Sequence, residues 1–189
     1  MKASRRRKLL LWLLLPFIGV SYAVVMNLLM VILGAAPGQD AVDVALAQYF
    51  ESKQWILILI EAVIAPVVEE WLFRKLLYGL ISRKLKKILA AVIVSVLFGV
   101  LHFSIPGMIY GFLFGLLLTW VLEVVETWLA AVLVHGMANL FSIFMNYVPS
   151  ANAFVSAYRI AFLIAGVVVL GGCLFLLYRQ KPGKQLESE

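Results

Sequence analysis

The sequence predicts an all-α protein, a bundle of about six transmembrane helices with both chain termini in the cytoplasm. Three observations predict it. Hydrophobic residues make up 64% of the 189 residues and charged residues 14%, a composition that a water-soluble domain of this length could not cover with polar surface. Several apolar runs reach the roughly 20 residues that a helix needs to cross a bilayer. The net charge of +6 comes mostly from basic clusters that flank these runs.

Turn signals and charged residues divide the chain into six predicted spans. The first run, about 9–36, is longer than the roughly 7 to 15 apolar residues of a signal peptide, so we interpret it as a membrane helix. The acidic segment 39–53 follows and is predicted to lie outside. The remaining spans are predicted at about 55–81, 88–103, 108–123, 128–147 and 153–178.

Three basic clusters, at 5–8, 83–87 and 179–184, set the predicted topology. Lys and Arg are enriched in short cytoplasmic segments, and an even number of spans then places both termini on that side. Clusters that flank apolar spans indicate topology and do not indicate a nucleic-acid partner. The whole chain, 1–189, is therefore predicted to form a single membrane-embedded domain in contact with the lipid bilayer.

The second predicted span carries charged side chains near its middle. An ionisable residue near the bilayer centre costs about 2.5–3.5 kcal/mol, so each one needs a physical reason. Glu70 and Arg74 are four residues apart on one helix face and can form a charge-assisted pair. Glu69 points about 100° away and has no partner on its own helix. A carboxylate in this setting is a candidate general acid or base, and the alternative is a structural ion-pair cluster.

Both histidines of the chain, His102 and His135, fall inside apolar spans. Asn139 follows His135 by four residues, so the two side chains project from one helix face. The helical rise places Glu69, His102 and Asn139 at similar depth, about 20 to 22 Å from the nearest predicted cytoplasmic boundary. Such a set suits the attack of water on a carbonyl. Glu69 and His102 would activate the water, while His135 and Asn139 would hold the oxyanion.

Zinc is an alternative for the same residues. Two histidines and a glutamate, here Glu69, His102 and His135, form a common zinc ligand set with a fourth position open for water. The HExxH spacing is absent, but ligands from three helices could converge. The metal-free mechanism, which requires no cofactor, is preferred, and both mechanisms stay open at this point.

Three motifs in the centre of the chain resemble those of the CAAX prenyl protease and bacteriocin-processing family, abbreviated CPBP, whose bacterial members are also called Abi proteins. The family patterns are EExxxR, FxxxH and HxxxN. Residues 69–74 read EEWLFR, residues 98–102 read FGVLH, and residues 135–139 read HGMAN. The motifs occur in the family's order on three predicted membrane helices and use both histidines of the protein.

The resemblance implies a glutamate-dependent intramembrane endopeptidase. Its implied roles are water activation by Glu69 and His102, an oxyanion hole of His135 and Asn139, and support by Glu70 and Arg74. The substrate would be a peptide or membrane protein, in peptide maturation or bacteriocin self-immunity in a prokaryotic cell membrane. The motifs carry no information on the oligomeric state.

Two other classes of function were weighed against the peptidase. A non-catalytic immunity or scaffold protein would keep the motifs for folding, but the complete motif set favours catalysis. A proton-coupled transporter would also use buried Glu and His, but the sequence has no inverted repeat or paired broken helices.

Overall fold

The computed structural model describes residues 2–35 and 54–180, with side chains from residue 9 and from residue 55 onward. These ranges contain helices and no strand, which confirms the predicted all-α bundle. The seven helices are α1 (Lys2–Ile32), α2 (54–81), α3 (Lys87–Val100), α4 (Ile105–Val125), α5 (Trp128–Tyr147), α6 (Pro149–Ala157) and α7 (Arg159–Arg179).

The helix α2 is one continuous helical path in which two π-helical parts interrupt the α-helix. Its α-helical parts are Gln54–Leu59, Ala65–Glu70 and Gly79–Ile81, and its π-helical parts are Ile60–Ile64 and Trp71–Tyr78. The residues at the junctions keep right-handed helical backbone angles, so the direction of the chain is not broken.

Four helices in the described ranges are long and apolar enough to cross a membrane. They are Leu9–Ile32, Ile105–Val125, Trp128–Tyr147 and Arg159–Arg179. Of the two other predicted spans, α3 is apolar but only 14 residues long. The remaining one, α2, carries five charged residues, at positions 61, 69, 70, 74 and 75.

Several predicted boundaries were wrong. The third span ends at Val100 rather than 103, so His102 lies in the turn that follows it. The fourth span begins at Ile105 rather than 108, because a proline is tolerated in the first turn of a helix, where its missing N–H is not needed. Ser104 caps this helix, its Oγ accepting from the N–H of Gly107 at 3.1 Å. The predicted sixth span, 153–178, is interrupted at Tyr158, where the backbone leaves the helical region and separates α6 from α7.

The first helix ends at Ile32, earlier than predicted, and is followed by a turn with Gly34 at a φ of 66°. The predicted acidic segment 39–53 lies outside the described residues, as do positions 181–184 of the last basic cluster. The fifth span was predicted correctly, at Trp128–Tyr147.

The bundle is organised around α5, which packs against α1, α2 and α4. The helices α3 and α4 form a hairpin, and α7 lies against α1. Helix α1 approaches α5 very closely at Gly19, where a Cβ would overlap the carbonyl oxygen of Val134. These contacts bring the three motif-bearing segments, on α2, at the end of α3 and on α5, to one region of the core.

One end of the bundle is marked by ionic contacts. Glu123, near the end of α4, accepts from Lys87 Nζ at 2.6 Å and from the hydroxyl of Tyr78 at 3.0 Å. The basic loop after α2 therefore lies at the same end as the beginning of α3 and the end of α4. The turn 101–104 and the end of α5 lie at the opposite end. That the basic end faces the cytoplasm stays a prediction.

Candidate active site

A proline in α2 leaves a backbone carbonyl without a donor, and α5 provides one. In the π-helical turn of α2, the N–H of Ala65 donates to the carbonyl oxygen of Ile60, five residues earlier. The next residue, Pro66, has no N–H, so it cannot donate to the carbonyl of Glu61. Asn139 of α5 donates from Nδ2 to this oxygen at 2.9 Å. The side chain of Asn139 thus satisfies a backbone acceptor and fixes α5 against α2.

Glu70 is the centre of a buried polar network. Its Oε2 lies 2.9 Å from Nε of Arg74, which confirms the pair expected from the four-residue spacing. Its Oε1 accepts from Nδ1 of His135 at 2.8 Å, a contact that the sequence analysis did not predict. Arg74 also donates from Nη2 to the carbonyl of Gly115 at 3.3 Å, and its guanidinium lies 4.5 Å from the ring centroid of Phe98.

The three side chains of this network are buried. Glu70 is 0% exposed, Arg74 1% and His135 5%. A buried charge is tolerated only when it is paired and hydrogen-bonded, so the Glu70 carboxylate depends on both of its partners. The side chain of His135 is in turn held in a single orientation by Glu70.

Glu69 lies on the other side of His135 and faces a cavity. Its Oε2 is 3.9 Å from Nε2 of His135, and its side chain is 37% exposed. The cavity has a volume of about 360 Å³. All four residues predicted to be catalytic line it: Glu69, His102, His135 and Asn139. The supporting pair of Glu70 and Arg74 lies behind His135, away from the cavity.

His102 is positioned by its own helix end and by a glycine on α4. Its Nδ1–H donates to the carbonyl of Phe98, one turn earlier, at 3.2 Å. A Cβ added at Gly111 would lie 2.8 Å from this Nδ1 and 2.9 Å from Cε1. The imidazole therefore occupies the space that any side chain at position 111 would take.

Gly111→Ala is expected to displace the His102 imidazole and to lower activity by up to about 100-fold, since a misplacement of about 1 Å can cost that much in rate. The measurement is kcat/KM for a cleaved peptide, together with thermal unfolding in detergent. Gly172→Ala is the matched control, because a Cβ there meets nothing within 4 Å. Unchanged kcat/KM in Gly111→Ala would contradict the positioning of His102 by this glycine.

The same region matches a known protein family. Residues 51–141 match the family model described as "Type II CAAX prenyl endopeptidase Rce1-like". This range contains all three motifs and every predicted site residue. This match supports the CPBP family. The match supports a membrane protease at the level of the family, and the four apolar helices support an integral membrane protein.

A curated relative agrees with the CPBP assignment. The chain is 25% identical over 97 residues to "Putative membrane peptidase YdiL" of Bacillus subtilis (strain 168). The alignment covers 51% of this chain and 40% of the relative, so the chain spans well under two thirds of the length of the curated relative it matches. No solved structure matches the chain.

The hydrogen bonds of the two CPBP histidines decide what their second nitrogens can do. Both Nδ1 atoms face oxygen acceptors, the carbonyl of Phe98 for His102 and the carboxylate of Glu70 for His135. A neutral imidazole that donates from Nδ1 has a lone pair on Nε2. His102 can therefore accept a proton or a hydrogen bond through Nε2. His135 can donate from Nε2 only as an imidazolium, with Glu70 and Glu69 on either side of it.

The donor set of this CPBP site bears on the zinc alternative. Nδ1–H groups that donate to a carbonyl or carboxylate are typical of zinc-binding histidines. The spacing does not fit, because the described residues contain no group of three His, Cys, Asp or Glu side chains that could hold a metal ion. The metal-free mechanism stays a prediction, and chelation tests it against the zinc alternative.

Several residues around the CPBP site were missed by the sequence analysis. Glu61 was given no function, yet it lines the cavity, as do Ser142 and Asn146. Ser142 and Asn146 follow Asn139 at intervals of three and four residues, a spacing that the sequence displays and that could have been noticed. Gly111 was missed as well. Its contact with His102 depends on how α4 folds back onto α3, which no local pattern predicts.

Proposed function

We propose that the protein is an intramembrane endopeptidase that hydrolyses a peptide bond with water activated by Glu69 and His102. One observation carries the proposal: Glu69, His102, His135 and Asn139, which come from three helical segments, line a single cavity. The family match and the curated relative support a membrane protease, and the roles of individual residues are part of the proposal.

In the proposed mechanism, a water molecule in the cavity is held between Glu69 and Nε2 of His102. Nε2 can accept a hydrogen bond because Nδ1–H of His102 donates to Phe98. The Glu69 carboxylate removes one proton as the water oxygen attacks the carbonyl carbon of the substrate. The cavity side of Glu69 is accessible, whereas Glu70 is fully buried and engaged by Arg74 and His135.

The tetrahedral oxyanion is proposed to be held by His135 and Asn139. His135 donates from Nε2 as an imidazolium, whose charge is balanced by the carboxylate of Glu70, 2.8 Å from Nδ1. Asn139 uses one amide hydrogen for the carbonyl of Glu61 and has a second hydrogen for the oxyanion. Donors fixed by other contacts need no reorganisation when the negative charge develops. Glu69, now protonated, then gives its proton to the leaving amine, and the peptide bond is broken.

The proposed substrate is a peptide or a membrane protein, and the proposed setting is peptide maturation or bacteriocin self-immunity in a prokaryotic cell membrane. The name of the Bacillus subtilis relative supports a membrane peptidase and says nothing of the substrate. A non-catalytic immunity or scaffold protein is the second candidate, and it predicts a cavity that binds a partner without hydrolysis.

Peptide cleavage is the direct test. The purified full chain, reconstituted in liposomes, is incubated with a peptide library in water enriched in oxygen-18, and the products are analysed by mass spectrometry. We expect new carboxyl termini that carry the heavy oxygen, with activity that survives a strong chelator. Loss of activity on chelation would favour zinc, and the absence of cleavage under every condition would favour the binding protein.

A further inference from the structure

A row of polar side chains runs along one face of α5. Asn139, Ser142 and Asn146 follow His135 at positions 4, 7 and 11 further along the helix, and all four line the cavity. This spacing keeps the side chains on a single face. His135 is 5% exposed, Asn139 and Ser142 are half-buried, and Asn146 is exposed. The cavity therefore opens toward the end of α5 that lies opposite the basic loop.

The proposed hydrolysis uses His135 and Asn139 but not the outer part of this row. We propose that Asn139, Ser142 and Asn146 hold the backbone of an extended substrate segment, which lies along α5 between the scissile bond and the opening of the cavity. The proposal rests on the proposed peptidase function and adds to it the site that binds the substrate chain.

The chemistry of the row suits a peptide backbone. An amide side chain both donates and accepts, as a peptide unit does, and so can pair with its N–H and its C=O groups. Ser142 accepts from Asn27 Nδ2 at 3.3 Å, which leaves its own hydrogen free to donate. Among the described residues that line the cavity there is no Lys or Arg, so the part of the row beyond His135 offers an anionic ligand no cationic partner.

The membrane gives a reason why such a row is needed. An extended chain has unpaired N–H and C=O groups, and in an apolar environment each of them costs free energy unless it finds a partner. The cavity is also lined by apolar side chains, which include Leu101, Phe103 and Ile143. An extended segment with apolar side chains can therefore pair its backbone with the polar row and pack its side chains against the apolar lining residues.

The length of the row fixes the length of the bound segment. From His135 to Asn146 the helix rises about 16 to 17 Å. An extended chain advances about 3.3 Å per residue, so the row accommodates about five residues on one side of the scissile bond.

A series of peptides tests this length. Starting from a cleaved peptide, one residue at a time is added on the N-terminal side in one series and on the C-terminal side in the other. We expect kcat/KM to rise in one series only and to level off after about five residues. Asn146→Leu is expected to lower kcat/KM for long peptides by about 3- to 10-fold, the range of one hydrogen bond.

The matched control is Asn152→Leu, the same chemical change on α6, outside the cavity. Asn152→Leu is expected to leave the dependence of kcat/KM on peptide length unchanged. The proposed binding of the substrate backbone by the row would be overturned if kcat/KM of the wild type did not depend on peptide length. It would also be overturned if Asn146→Leu and the wild type showed the same dependence. The peptidase function would stand in both cases.

Cross-linking separates the two proposals when no peptide is cleaved. A photoreactive amino acid replaces Asn146 in one variant and the exposed Phe144, outside the cavity, in another. An extended peptide with a non-hydrolysable bond should cross-link at 146 and not at 144. Cross-linking at 146 without cleavage of any peptide supports the row and contradicts the hydrolysis. Equal labelling at both positions, or no labelling at either, overturns the row.

Discussion

Glu69→Gln is expected to lower kcat by about 10² to 10⁴-fold, the range that general acid–base catalysis typically contributes. The amide keeps the size of the side chain and its place in the cavity but cannot take a proton from water. It also cannot return that proton to the leaving amine. The measurement is the rate of peptide cleavage under single-turnover conditions, which separates the chemical step from product release.

Two controls accompany Glu69→Gln. Glu126→Gln makes the same change at an exposed position outside the cavity and is expected to leave kcat unchanged. Thermal unfolding of Glu69→Gln should match the wild type, because the side chain is partly exposed and its contact with Nε2 of His135 is long, at 3.9 Å. Cleavage at more than about a tenth of the wild-type rate would exclude Glu69 as the general base.

Arg74→Met is expected to destabilise the protein by about 3–5 kcal/mol, the cost of removing one partner from a buried ion pair. Glu70 is 0% exposed, and without Arg74 its charge is balanced only by the hydrogen bond from His135. The measurement is thermal or denaturant unfolding in detergent. The double variant Glu70→Gln/Arg74→Met should regain most of this loss, because a neutral amide oxygen can still accept from Nδ1 of His135.

An exposed ion pair provides the comparison for Arg74→Met. Lys87 and Glu123 lie 2.6 Å apart, with the Lys87 side chain 70% exposed. Lys87→Met should cost less than about 1 kcal/mol, because pairs in contact with solvent contribute little. If Arg74→Met were no more destabilising than Lys87→Met, Glu70 could not be the charged centre of the buried network.

Local patterns in the sequence were enough to predict most of the architecture. Apolar runs give the long helices, because a membrane helix depends mainly on its own composition and length. The pair of Glu70 and Arg74 was also predictable, since a spacing of four residues on a helix fixes which side chains are neighbours.

The remaining features depend on contacts between helices. The hydrogen bond from His135 to Glu70 joins residues 65 positions apart, and Glu70 already had a local partner, so nothing in the sequence indicated a second one. The carbonyl oxygen of Glu61, left without a donor by Pro66, accepts a hydrogen bond from Asn139 of α5. The pattern of α2 alone could not predict this partner, because it lies on another helix. Helix ends were predicted less well than helix positions, because Pro106 reads as a turn signal but starts a helix when Ser104 caps it.

The shortness of α3 has a consequence for the surrounding lipid. Its 14 residues rise only about 21 Å, whereas the hydrocarbon core of a bilayer is about 30 Å thick. The turn that carries His102 therefore cannot reach the opposite surface of an undeformed bilayer. Non-helical backbone at such depth is tolerated where it lines a water-filled cavity, and a short span is otherwise met by local thinning of the lipid. We therefore expect acyl-chain length to influence how easily water reaches His102, so that hydrophobic mismatch becomes a determinant of catalysis.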